Sequence, residues 1–173
     1  MKLTGSLEKA FNDQVSLELT AALVYRQLGI DMEAIDLPGI ASWFRAQADE
    51  EMVHAYKFID HMIDRDAHPR IEALKVEIAP ATTALEAFEA SLAHEQHVSE
   101  AIRELYRKAE AEGDLDSRPI LNWFVDEQLE EEATVSEIIS RVKRIGKDGA
   151  GLLKLEEQLA SRPGGEDPAS ADE

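Results

Sequence analysis

The apolar residues of this chain recur at spacings of three and four, the period of an amphipathic α-helix. The first such run extends from about Ser6 to about Met32, and the second from about Gly39 to about Arg65. A third run covers Thr83 to about Ala111, and a fourth extends from about Ser117 to Gly146. No segment shows the alternation with period two that is typical of a β-strand. The pattern therefore predicts an all-α fold with four long helices.

The connections between these helices predict how they are arranged. Pro38 and Gly39 mark a short turn between the first two helices, whereas the segment "DAHPRIEALKVEIAPA" after the second is too long for a tight turn. We therefore expect a crossover along the length of the bundle and an up-down-down-up topology. The segment "GAGLLKLEEQLA" predicts a short fifth helix. We expect one domain over residues 1–160 and a disordered acidic tail over 161–173, which has no large apolar side chain.

Two helix starts have candidate caps. Ser6 is a candidate N-cap of the first helix, although Lys9 occupies the position where a capping box has Glu. Thr83 and Glu86 have the spacing of a complete capping box, which predicts a well-defined start for the third helix.

The charge of the chain limits its partners. Its 173 residues have a formal net charge of −18, which argues against binding to nucleic acid or to an anionic membrane surface and fits a cationic partner. There is no cysteine, so thiolate metal sites and disulfides are excluded. The start "MKLTGSLEKAFNDQ" does not resemble a signal peptide and no segment predicts a membrane span, so we expect a cytoplasmic protein.

Each long helix has one glutamate within its apolar stripe, and these four are Glu18, Glu51, Glu95 and Glu131. Each lies near the middle of its helix, so all four can meet at one level of the bundle. Four bare carboxylates in a dry core would repel one another and lose their hydration. They could lie at the edge of the stripe with their heads in water, hold protons, or bind a cation. His54, three residues after Glu51, adds an imidazole, and such oxygen-rich sets suit iron or manganese.

The segments "DEEMVHAYKF", "AHEQ" and "FVDEQLEEE" resemble the ferroxidase segments of bacterial non-haem ferritins. The resemblance covers about Leu7 to Leu159. It implies a ferritin-like four-helix bundle with a long crossover after the second helix and a short fifth C-terminal helix. It also implies an iron-storage ferroxidase that oxidises Fe(II) with dioxygen or hydrogen peroxide. The ferric mineral would be stored inside a homo-oligomeric shell of twenty-four subunits.

The resemblance also implies the roles of particular residues. One iron ion would bind Glu18, Glu51 and His54. The second would share Glu51 as a bridge and bind Glu95 and Glu131, with Gln128 nearby. A third, weaker site would use Glu50, Glu127 and Glu130, for which a solvated acidic face is the alternative. A tyrosine accompanies the diiron centre in this family, and Tyr25, seven residues after Glu18, matches it.

The sequence departs from the haem-binding relatives at one motif. Bacterioferritins have a second Glu-x-x-His on the fourth helix, whereas this chain has Gln128-x-x-Glu131. Met52 matches the haem-ligating methionine, but non-haem ferritins also have methionine there, so we expect no haem.

Two other functions remain open from the sequence. One is a diiron oxidase or peroxide scavenger of the ferritin-like family that stores no mineral. The absence of cysteines excludes the scavengers that carry rubredoxin centres, and the fifth helix favours a shell. The other is a metal-free bundle that acts as an interaction protein, which would require the four glutamates to be protonated or coincidental.

Overall fold

The structure is a computed structural model that describes residues 2–3 and 5–161. Five helices follow in order: α1 (Gly5–Ala34), α2 (Pro38–Asp64), α3 (Ala84–Ala111), α4 (Arg118–Ile145) and α5 (Gly149–Ala160). Within the described ranges there is no strand, and no helix combines the length and apolar character needed to cross a bilayer. The predicted all-α bundle with a short fifth helix is confirmed. The predicted disordered tail lies outside the described residues, apart from Ser161.

The crossover between α2 and α3 runs along α1. Near its start, the Asn12 side chain donates to the Arg70 carbonyl at 2.9 Å and accepts from the Arg70 amide at 2.6 Å. Near its end, the Ala81 amide donates to the Asp31 carboxylate at 2.9 Å. Asn12 and Asp31 are separated by roughly 28 Å of helix. The crossover therefore carries the chain from one end of the bundle to the other, as the up-down-down-up topology requires.

The apolar core is divided into two clusters. One contains Tyr25, Phe44 and Phe88 with their neighbours, and the other contains Phe11, Phe58 and their neighbours at the opposite end of the bundle. In each long helix, the glutamate that interrupts the stripe lies between residues of the two clusters. The helices therefore place a polar layer between two apolar half-cores.

Of the two N-caps predicted from the sequence, one is present in the structure and the other is not. Thr83 caps α3, because its hydroxyl accepts from the Glu86 amide at 3.2 Å. The Glu86 carboxylate accepts in return from the backbone amide of Thr82, at 2.8 Å. Ser6 is not an N-cap, since α1 already begins at Gly5 and the Ser6 hydroxyl donates to Glu112 near the α3–α4 turn.

The short helix α5 packs on the start of α2. Leu155 and Leu159 are buried in the half-core that contains Phe44. The Glu156 carboxylate accepts from the Gly39 amide at 3.1 Å, and so provides a distant cap for α2, whose own N-cap residue Leu37 has no capping side chain. This close approach requires glycine at position 39, because a Cβ there would lie 2.5 Å from the Glu156 carbonyl oxygen.

We predict that Gly39→Ala destabilises the fold by about 1–3 kcal/mol, because the new methyl group must push α5 away from α2. The measurement is the thermal unfolding midpoint. Gly149→Ala is the matched control: its Cβ meets nothing within 4 Å, so its midpoint should equal or exceed that of the parent chain. Equal midpoints for the two variants would show that α5 does not need this contact.

Candidate metal centre

Four carboxylates from four helices form the polar layer between the half-cores. Glu18, Glu51, Glu95 and Glu131 are exposed to between 0 and 3%. The helical period places each on the inward face, because each follows or precedes a buried apolar residue by one or two turns. The sequence prediction that these four residues meet at one level therefore agrees with their positions, and none of them has its head in water.

The closest group in the layer contains Glu18, Glu51 and His54. One ligand atom from each lies within 4.8 Å of the other two, and the His54 Nδ1 atom is 3.3 Å from a Glu51 oxygen. The Glu18 Oε2 atom is buried and accepts no hydrogen bond in the part of the chain that the structure describes. A buried carboxylate oxygen without a donor costs free energy, which a bound cation would recover.

Glu95 is held by neutral donors. The Tyr25 hydroxyl donates to one Glu95 oxygen and accepts from the Ser91 hydroxyl at 3.1 Å. The Gln128 amide donates to the other Glu95 oxygen at 3.0 Å. Tyr25 thus reaches a carboxylate on α3, although the sequence placed it only relative to Glu18. Gln128 lies beside Glu95, on the inward face of α4.

Two buried glutamines were not singled out from the sequence. Gln14, 3% exposed, donates to Glu18 at 2.7 Å. Gln47, 1% exposed, donates to Glu50 at 3.0 Å and lies 3.4 Å from both oxygens of Glu131. Gln14 lies four residues before Glu18 and Gln47 four residues before Glu51, so the one-face spacing could have indicated them.

A second group lies on the side of the layer where α2 faces α4. It contains Glu50, His54 and Glu127, again with ligand atoms within 4.8 Å of one another, and Glu50 and Glu127 are half-buried. The His54 Nε2 atom is 3.9 Å from a Glu127 oxygen, so one imidazole faces both groups through its two nitrogens. Glu130, which the sequence placed with Glu50 and Glu127, is exposed and is not part of this group.

Aromatic and histidine side chains around the layer have mostly structural contacts. The Trp123 ring packs edge-on against His54 with centroids 5.6 Å apart, and the Lys57 ammonium lies 4.3 Å from its centroid. His61 is half-buried, its ring centroid lies 5.2 Å from that of Phe11, and its Nε2 atom is 2.9 Å from the Ser117 hydroxyl. Burial of the His61 imidazole lowers its pKa from the usual value.

Burial dominates the electrostatics of the layer. The pKa of Glu18 is raised well above its usual value by burial, and the Glu51 carboxylate raises it further. The pKa of Glu51 is likewise raised well above its usual value, first by burial and then by Glu95 and Glu131. Burial also raises the pKa of Glu95, against the opposing hydrogen bonds from Tyr25 and Gln128. Without a cation, the layer therefore tends to retain protons.

The donor set determines which cation would fit. It consists of carboxylate oxygens and a single imidazole, which are hard to intermediate ligands and suit iron or manganese. The Glu18 Oε2 atom is buried and accepts no hydrogen bond within the described residues, so its lone pairs would be available to such an ion. Fold and site together define a class of protein: a four-helix bundle with a carboxylate-rich candidate metal centre at its middle.

This chain belongs to the ferritin family. The family model described as a Ferritin-like domain matches residues 8–145. A bacterial non-heme ferritin from Bacteroides fragilis is 35% identical over 162 residues, which is 92% of this chain and 99% of the relative. One from Staphylococcus aureus is 34% identical over 160 residues, covering 92% and 96%. The resemblance seen in the sequence is thus confirmed.

Solved structures show the same fold. An open-pore ferritin from the archaeon Archaeoglobus fulgidus superposes with a TM-score of 0.90 at 32% identity, covering 93% of this chain and 98% of that one. An engineered closed form of the Archaeoglobus fulgidus ferritin gives a TM-score of 0.91, also at 32% identity, over 94% and 99%. The predicted ferritin-like architecture is confirmed by these similarities.

We predict that the stability of the metal-free chain depends on pH through Glu51. Its folded-state pKa is raised, so its contribution is fully present below the unfolded value of 4.5 and is lost as the pH rises through the folded pKa. Glu51→Gln stays neutral, so its unfolding midpoint should exceed that of the parent chain increasingly with pH. The limit is about 1.4 kcal/mol per pH unit.

The measurement is thermal unfolding of chelator-treated protein between pH 5 and 8. Glu137→Gln is the control, since Glu137 is exposed on α4 and should leave the profile unchanged. If the unfolding midpoints of Glu51→Gln and the parent chain differ by a constant amount across this range, the prediction that Glu51 is protonated in the folded chain is contradicted.

Proposed function

We propose that this chain is an iron-storage ferritin whose central carboxylate layer is a diiron ferroxidase centre. The observation that carries this proposal is the burial of four carboxylates from four helices at one level, with His54 beside Glu51. Such a layer is unfavourable without cations, and a chain with a formal net charge of −18 attracts them. Membership of the ferritin family makes Fe(II) the cation that the proposal names.

Each side chain has a role in this proposal. One Fe(II) binds Glu18, Glu51 and His54, the group already within 4.8 Å. The other binds Glu95 and Glu131 and shares Glu51 as the bridge, with Gln128 beside it. Glu51 is suited to bridging, because it lies within 4.8 Å of ligand atoms of Glu18 and His54 and its pKa is also raised by the nearby Glu95 and Glu131 carboxylates. Tyr25 orients the Glu95 carboxylate by donating a hydrogen bond from its hydroxyl.

The reaction is the oxidation of two Fe(II) ions. Each Fe(II) gives one electron, and dioxygen accepts two electrons and two protons to give hydrogen peroxide. Hydrogen peroxide can itself serve as the two-electron oxidant, giving water. Carboxylates favour this reaction because they are hard anionic ligands that stabilise Fe(III) more than Fe(II). The buried carboxylates must lose their protons when iron binds, so iron binding is expected to release protons to solvent.

A third iron site is proposed at the second group. Glu50 and Glu127 supply carboxylates and lie with the Nε2 side of His54. Glu130 lies on the same α4 face at higher exposure and would act as an outer ligand as iron passes to or from this group. The half-burial of Glu50 and Glu127 fits a site that exchanges its ion more readily than the dry layer does.

A shell of twenty-four subunits is the proposed assembly. The described chain exposes large apolar side chains on α1, α2 and the crossover, as isolated subunits of an oligomer do: Leu23, Ile30, Tyr56, Ile63, Ile71 and Val76. Leu153 on α5 is 63% exposed, although Leu155 and Leu159 of that helix are buried against its own bundle. The fifth helix therefore has one apolar face filled within the subunit and one apolar residue left for a neighbour.

We predict that Glu51→Ala and His54→Ala abolish the fast phase of Fe(II) oxidation. Both remove ligands of the closest group, and loss of Glu51 removes the bridge. The measurement is the absorbance of ferric product after anaerobic loading with two Fe(II) per chain and mixing with air. Glu137→Ala is the control and should keep the fast phase. Fast oxidation in both site variants would reject the diiron centre.

Particle mass distinguishes storage from a diiron oxidase that stores no mineral. We predict that light scattering gives the mass of a shell of twenty-four chains of 19.2 kDa. Glu51→Ala should form the same particle, because the Glu51 carboxylate is buried inside one bundle and is not part of the subunit surface. The parent chain should then oxidise and retain hundreds of further Fe(II) ions per particle. A stable dimer with iron oxidation but no retained mineral would favour the non-storing enzyme.

A further inference from the structure

One amide nitrogen lies between the central polar layer and the second group of potential ligands. The Gln47 Nε2 atom is 3.0 Å from a Glu50 oxygen, which belongs to the second group. The same atom is 3.4 Å from both oxygens of Glu131, which belongs to the central layer. Glu50 and Glu131 lie on different helices, so Gln47 connects α2 to α4 at the boundary between the groups.

The chemistry of the carboxamide suits this position. Its NH₂ group has two protons and can donate to two acceptors at once, whereas it brings no positive charge that would displace a cation. Gln47 is only 1% exposed, so water does not compete for these protons. The shorter contact is to Glu50, so the amide lies closer to the second group than to the Glu131 carboxylate of the layer.

We propose that Gln47 is a positioning residue that couples the two groups, since one amide orients the Glu131 carboxylate of the layer and the Glu50 carboxylate of the second group. A cation that takes an oxygen of one carboxylate changes the hydrogen bond available to the other. Binding at either group therefore alters the affinity of the other. The inference rests on the proposed function, because it takes both groups as iron sites.

Gln14 provides an internal comparison. It has the same side chain and similar burial, and it donates to Glu18 at 2.7 Å. Within the described residues its side chain makes no hydrogen bond to Glu50, His54 or Glu127. Loss of the Gln14 amide should therefore affect the central layer alone. Loss of the Gln47 amide should affect both groups.

The test is anaerobic calorimetric titration of Fe(II) into chelator-treated protein, with Gln47→Met and Gln14→Met compared. Methionine keeps an unbranched chain of similar length and removes the donor. Glu127→Ala identifies the binding class that belongs to the second group, because that class should disappear. Removal of a side chain that orients a ligand typically lowers metal affinity by about 10- to 100-fold. We expect a loss of about tenfold in both classes for Gln47→Met, and in the tighter class alone for Gln14→Met.

Two results would overturn the coupling role: an unchanged second class in Gln47→Met, or equal effects of the two variants on both classes. Gln47→Asn, which keeps the amide but withdraws it by one methylene, is the second variant if the Met variant melts well below the parent chain. It should also weaken both classes. A parent chain that binds no Fe(II) would instead overturn the proposed function itself.

Discussion

Burial of four carboxylates between two apolar half-cores is the constraint on which this structure depends. Each carboxylate loses its hydration and faces others of like charge, and the pKa values of Glu18 and Glu51 rise as a result. A sequence under selection for stability alone would fill these positions with apolar side chains, which is often neutral or favourable at buried ionic sites. Their presence at one level of every long helix indicates a site that cations complete.

The partners of these carboxylates show how the site stays available. In the part of the chain that the structure describes, no ion pair joins Lys or Arg to Glu18, Glu51 or Glu95. The donors are neutral: the amides of Gln14 and Gln128 and the hydroxyl of Tyr25. A lysine or arginine would satisfy the carboxylates permanently and compete with a cation. Neutral donors orient the carboxylates and leave their charge for the metal.

The sequence predicted the helices and the layer because both have periodic signals. The glutamates interrupt apolar stripes of known period, and the crossover is identified by its length and its prolines. The roles of Gln14 and Gln47 have a weaker signal. Each lies four residues before a layer glutamate, but a single glutamine on a stripe can be assigned a role only when a carboxylate from another turn or helix is seen beside it. The contact between Gly39 and Glu156 joins residues far apart in the chain, which periodicity cannot detect. Glu130 is exposed because of the way α4 is rotated about its axis. The spacing of residues along the helix does not predict that rotation precisely enough.

The stability of the fold must come mainly from contacts within the chain and not from a bound ion. A bound ion stabilises a folded chain in proportion to the logarithm of its concentration over its dissociation constant. In the proposed function the site passes iron onward and cannot bind it very tightly, so bound iron would contribute little to stability when iron is scarce. The half-cores and a few long-range contacts must therefore hold the empty layer together. Arg65 provides one, donating to the Asp114 carboxylate at 2.8 and 3.1 Å and to the Ser117 hydroxyl at 2.9 Å.

That contact joins the end of α2 to the start of α4, while α5 closes the opposite end of α2 through Glu156. Both ends of α2, the helix that supplies Glu51 and His54, are thus fixed by contacts remote from the layer. Fixed helix ends allow the middle of the bundle to tolerate repulsion without separating. In the proposed function, the polar layer would therefore gain and lose iron while the positions of its ligands change little.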